Sequence, residues 1–250
     1  MGVTQSIIMI SETDNNEFRA FFEGNMRLLY EISVDQLFPI KFNHYLKIFN
    51  PFLIDPDLSQ LRDKVQQFDT EEIVESFFSW VSMHEKPYEE YLRLPVRHII
   101  ELMKIEYGFL LEYGVDFKSN NISSQFGRSQ PKWLLYPDSG TVEEELLKEI
   151  LKTLKPIGKG KCFFHYDLIA IDTYKNTFFE GELNDIPTTL EMGFKGTPTD
   201  IWDESKKWFI HTCYDADYLF LGADKEIIEK VLLNPRIESL VFPKDRLIIE

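Results

Sequence analysis

Cysteine, glycine and positive charge are all scarce in this chain, and each scarcity excludes something. Its 250 residues include two cysteines, Cys162 and Cys213, too few for a disulfide framework, so a reducing compartment is expected. Twelve glycines leave little material for glycine-dependent ligand loops. The stretch Gly158-Lys159-Gly160-Lys161 precedes a strand-like run, whereas a phosphate loop must open a helix whose first N–H groups face the anion. Against 42 acidic side chains stand 27 basic ones, a formal net charge of −15, and such a balance repels a phosphate backbone. Nucleic acid is therefore not expected as a partner. No stretch approaches the length of uncharged apolar residues that crosses a membrane, and the first ten residues lack the basic and long apolar regions of a secretory signal. A cytoplasmic protein with no membrane partner is expected. Met1 to Ser6 fit the myristoylation pattern Met-Gly-x-x-x-Ser, a pattern short enough to recur by chance.

What is present is hydrophobic and aromatic material, 44% and 14% of the chain. That excludes disorder and suffices for one sizeable core or two small ones. Residues 1–125 carry 20 acidic and 11 basic side chains and residues 126–250 carry 22 and 16, so neither half is an acidic tail. A polar run rich in turn formers, residues 118–131, is either a long surface loop or a boundary. A single globular unit over 1–250 is expected, with a subdivision into 1–118 and 131–250 left open.

Periodicity gives the elements. Strands are expected at Val3–Ile10, Met26–Ile32 and Tyr45–Phe49, the last stopped by Asn50-Pro51. Apolar residues at three- and four-residue spacing then predict helices from Leu58 to Phe68 and, behind Asp69 or Thr70 as cap, from Ile73 to Val81; Val96–Leu111 is a third. In the second half, Thr141 to Lys155 has acids first, lysines last and one leucine and isoleucine stripe, with Thr141 and Glu144 spaced as a capping box. Strands follow at Cys162–Ile171, Thr177–Glu180, Trp208–Tyr214 and Tyr218–Leu221, and a helix at Asp224–Leu233 is expected to be capped by Asp224 and ended by Asn234-Pro235. The fold class expected is mixed α+β, with a central, mostly antiparallel sheet and flanking helices.

Several constellations bear on chemistry. Cys162, His165, His211 and Cys213 are residue types that zinc prefers, but on extended strands Cys162 and His165 face opposite sides, and His211 with Cys213 supplies two ligands only. No metal and no cofactor is expected. Acid–base work is open to His165 with Asp167, or to a carboxylate pair from Glu180, Glu182, Asp215 and Asp217, although among 42 acids such near-pairs arise by chance and Asp215 and Asp217 read equally as a turn. There is no Gly-x-Ser-x-Gly elbow.

The run Ile201 to Ala223, with Trp202, an acidic turn, Trp208, Asp215-x-Asp217 and Gly222, followed by a helix and Asn234-Pro235, resembles the ending of a widespread group of uncharacterised bacterial proteins over roughly residues 133–240. This chain has Phe163 where members often carry tryptophan, and Gly222-Ala223 where they carry a glycine pair. The resemblance implies a bacterial, phage or prophage origin and a shared fold, and it supplies no reaction. With no catalytic signature, a non-enzymatic protein is expected, one that neutralises or regulates a basic protein partner as immunity proteins do. Acids interleaved with aromatic rings suit such a surface, since rings anchor and charges steer. Glu85, Tyr88, Glu89, Glu90 and Tyr91 form the main candidate patch, with Trp202, Asp215 and Asp217 as further contacts. Two alternatives stand beside it: a small-molecule enzyme or ligand-binding domain using His165, Asp167 and His211, and a phage structural or assembly protein.

Overall fold

The computed structural model describes residues 11–12, 18, 21–22, 32–54, 90–102, 108, 134–135, 137, 139–157, 161–167, 175–183, 197–213 and 216–248. The chain divides into two compact units, one of residues 1–50, 108–114 and 138–250, the other of residues 51–107 and 115–137. The expected strand over 3–10 and the helices over 58–68 and 73–81 lie outside the described residues, as does the polar run 118–131.

The first unit is built on a sheet of eight strands: β1 (Ser11–Glu12), β3 (His44–Phe49), β7 (Cys162–Asp167), β8 (Lys175–Gly181), β9 (Asp200–Asp203), β10 (Trp208–Thr212), β11 (Tyr218–Ala223) and β12 (Ser239–Phe242). Their spatial order is β1-β8-β7-β9-β10-β11-β3-β12, and each pairing is antiparallel. A separate ribbon pairs β2 (Ile32–Ser33) with β13 (Leu247–Ile248). In the second unit β4 (Phe52–Ile54) lies between β5 (Leu92–Leu94) and β6 (Leu134–Leu135), and helix α1 (Val96–Leu102) follows, with Val96 and Ile100 buried.

The expectation of a mixed α+β class is corrected. Among the described residues, thirteen strands stand against three α-helices, so the protein is β-rich. Segments without clear alternation account for the difference. Asp200–Asp203 and Ser239–Phe242 are strands too short to show a period of two, and β9 is buried along its whole length, which removes alternation altogether.

Two helices belong to the first unit, α2 (Glu144–Leu154) and α3 (Lys225–Leu232). Leu146, Leu147, Ile150, Leu151 and Leu154 of α2 and Ile227, Ile228 and Val231 of α3 form one core with Leu46, Ile48, Phe164, Ile201, Ile210, Leu219 and Leu221 of the sheet. The start of α2 differs from its expectation in chemistry. Glu143, not Thr141, accepts the Leu146 N–H at 2.7 Å. Thr141 is used elsewhere: its hydroxyl lies 3.2 Å from that of Thr197, which accepts the Val142 N–H at 2.8 Å. Asn50, at the end of β3, donates to the Thr141 carbonyl at 2.7 Å and accepts from the Glu143 N–H at 3.0 Å. A proline-blocked strand end thereby becomes the clamp that sets the helix on the sheet.

Candidate functional site

Antiparallel register places residues in rows across the sheet, and alternation sends successive rows to opposite faces. One row reads Phe179, Phe164, Ile201, Ile210, Leu221, Leu46 and Val241 from β8 to β12 and faces the helices. The next row, one residue along, reads Phe178, His165, Asp200, His211, Phe220, Lys47 and Leu240. Its centre is the candidate site.

Asp200 of β9 stands between His165 of β7 and His211 of β10. Its Oδ2 lies 2.8 Å from Nδ1 of His165 and its Oδ1 lies 2.7 Å from Nδ1 of His211. The three residues are 1%, 0% and 3% exposed. Facing an ionised carboxylate, which only accepts, each Nδ1 would carry the proton of its ring. Aromatic rings enclose the row. Phe178 stacks on the His165 ring at 4.5 Å and Phe22 at 4.2 Å, while Phe38 meets His211 edge-on at 6.3 Å. The following row on the same face carries Phe163, Trp202 and Phe209, stacked at 5.6 and 5.3 Å. Phe18 packs on Trp202 at 5.6 Å, and the Lys206 ammonium sits 5.5 Å above the Phe18 ring. Further along, Lys47 is buried with its ammonium 3.8 Å from the centre of the Tyr218 ring, a distance at which the ring quadrupole attracts a cation.

The sequence-derived candidates scatter by comparison. His165 and His211 converge, but the carboxylate joining them is Asp200, not Asp167. Asp167 lies beyond a register irregularity at the end of β7, where its N–H donates to the Thr199 hydroxyl at 3.1 Å and its Oδ1 is buried with no hydrogen bond. The signal for Asp200 was weak, because the acid is 35 residues from His165 and 11 from His211, and only strand register joins them. Cys162 faces the helix side, opposite His165. Its thiol is pushed up to about 12 by burial first and by the nearby Asp203 charge second, which makes it an inert packing residue. Cys213 is buried. Among the described residues, no group of three or more His, Cys, Asp or Glu is arranged to hold a metal.

Glu180 pairs at the surface with Lys161 at 2.6 Å, and Glu182 is exposed. Trp202 is 2% exposed and Asp217 is 4% exposed, so Trp202 belongs to the internal stack and Asp217 to the strand end, where its carbonyl accepts the Asn50 N–H at 3.0 Å. Glu90 is exposed and Tyr91 half-buried. Glu85, Tyr88, Glu89 and Asp215 lie outside the described residues. The acidic turn after Trp202 is structural: Asp203 accepts from the Ser205 hydroxyl and, at 3.0 Å, from the Lys207 N–H, closing the β9–β10 hairpin around a Lys206 with φ of 59°.

Charge is unevenly placed. The described residues hold 20 acidic and 16 basic side chains, of which Asp200, Asp203, Asp217, Glu238 and Lys47 are buried. The remaining residues hold 22 acidic and 11 basic ones, and the stretch 55–89 alone has nine against three. Among the described residues, no helix is long and apolar enough to cross a membrane. In comparisons with known proteins, no family model, no curated sequence and no solved structure matches this chain.

Proposed function

We propose that the chain is a non-enzymatic, acidic binding protein that neutralises or regulates a basic protein partner. The observation that carries this reading is the placement of charge. Acidic side chains outnumber basic ones by three to one in residues 55–89, which lead into the Glu85–Tyr91 patch, while the described surface is close to balanced. An acid-rich stretch attracts a basic partner over a distance and raises its rate of encounter. The resemblance of residues 133–240 to bacterial proteins suits an immunity or inhibitor role in a bacterium or prophage.

The test compares the full chain with a variant carrying Asp69→Asn, Glu71→Gln, Glu72→Gln and Glu75→Gln, each immobilised and offered a lysate of the source cells at low and high salt. The reading expects a basic protein held by the wild type, released by salt and lost by the variant. Retention of no basic protein, or retention indifferent to both changes, overturns it. A second reading, a ligand-binding or acid–base site, is favoured by one observation: His165 and His211 meet on a single carboxylate. A substrate-induced change at these rings in the absence of any protein partner would favour it over the first.

A further inference from the structure

The central row also has a chemistry of its own, independent of what the acidic stretch binds. Two imidazoles approach different oxygens of one carboxylate, His165 at Oδ2 and His211 at Oδ1. With Asp200 ionised both rings donate through Nδ1, and a further proton is then taken up at Nε2. In a dry, aromatic-lined interior the effective dielectric is low, and a change of charge on one ring is felt at the carboxylate and, through it, at the other ring. We propose that His165, Asp200 and His211 form one coupled protonation unit, in which a single carboxylate links the protonation of an imidazole on β7 to that of an imidazole on β10.

The proton comes from the solvent, and its uptake raises the charge of the row by one. A proton taken up at Nε2 of one ring makes that ring an imidazolium, and its Nδ1–H draws more strongly on Asp200. The second ring then shares its acceptor with a cation, and Coulomb repulsion makes its own protonation require a lower pH than it would alone. The described groups on this face beside the row are Phe178 from β8, Phe22, Phe38 after a 3-10 helix at Val34–Leu37, Trp202 from β9, Cys213 after β10 and Phe220 from β11. The nearest described charges in line are Lys47 on β3, one residue beyond Phe220, and Asp167 at the end of β7.

The coupling is tested by nitrogen-15 NMR of the histidine rings in the full chain. At neutral pH both rings are expected to carry their proton on Nδ1, and a ring with a bare Nδ1 facing Asp200 overturns the proposal. In a pH titration, replacing His165 by glutamine (His165→Gln) is expected to move the His211 midpoint upward by about one pH unit. Coincident His211 curves in the two proteins overturn it. If His165→Gln does not fold, the wild type carries the test alone: the His211 ring should report two steps, and a single-step His211 curve defeats the idea. Neither outcome depends on whether a basic partner is found.

Discussion

A shift of one residue separates two rows of the large sheet that are stabilised in different ways. The row from Phe179 to Leu46 packs aliphatic and aromatic side chains against α2 and α3, and its contribution scales with apolar area removed from water, about 1.5–3 kcal/mol for each fully buried side chain. The row through Asp200 buries two imidazoles, a carboxylate and, further along, an ammonium. Burial alone would oppose it. Its stability rests on hydrogen bonds to a charged acceptor, each about 1.5–3 kcal/mol. The helix face is therefore governed by apolar volume, whereas the opposite face is governed by whether each buried donor keeps its acceptor.

The sharpest way to break that contrast is Asp200→Ala. Two buried Nδ1–H groups lose their acceptor at once, and the expected loss is about 3–5 kcal/mol in urea denaturation. Asp200→Asn, which keeps one acceptor, should cost visibly less. A loss below about 1 kcal/mol for Asp200→Ala would mean that the polar row is not held by its carboxylate.

On the helix face Ile150→Ala removes a fully buried side chain from α2. About 2–5 kcal/mol is expected, with Ile150→Val costing only about 0.5–1.5 kcal/mol. That graded response to volume is what the polar face should lack. Equal costs for the two substitutions would count against area as the governing quantity there.

Gly222 probes how closely the polar face is covered. A Cβ at this position would lie 2.5 Å from a ring carbon of Phe42 and 3.0 Å from one of Tyr45, and the Phe42 N–H is already held by the Tyr45 hydroxyl at 3.0 Å. Gly222→Ala should cost about 1–3 kcal/mol through overpacking. Adding Phe42→Ala should relieve the clash, so a double-mutant cycle measures how much of the cost is contact with that ring. Additive costs would show that the ring is not what excludes a side chain.

How much of this was legible in the sequence follows from the same physics. Helices α2 and α3 were readable because an apolar stripe, acids first and lysines last, records both packing and dipole in one short window. Strands β3, β7, β8, β10 and β11 were readable from β-branched and aromatic content. Strand β9 was not, since a four-residue strand buried on both faces has no alternation to display. With β9 went the site. His165 and His211 stood out as residue types, but the carboxylate between them is set by strand order, a long-range property that no local pattern carries. The balance of strand over helix was missed for the same reason, because the unrecognised strands are the short ones.

The smallest expected effect sets the two faces against each other at alkaline pH. Cys162 lies on the helix side and Tyr45 on the other, and burial is the largest cause of a raised pKa for both, with the Asp203 charge adding to the effect at Cys162. A folded-state pKa raised above the unfolded value gives stability that is complete below the unfolded value and is lost as pH rises through the folded one. For Cys162 that window opens near its ordinary value of 9.0 and closes at about 12, and for Tyr45 it opens near 10.0. Stability should therefore hold to about pH 9 and then fall, with Tyr45→Phe and Cys162→Ala each flattening part of the decline. At neutral pH the Cys162 thiolate is so rare that iodoacetamide should label it only as fast as the chain opens. Rapid labelling of folded protein at Cys162 would show that the helix face admits solvent, and the contrast between a dry apolar row and a hydrogen-bonded one would then need another origin.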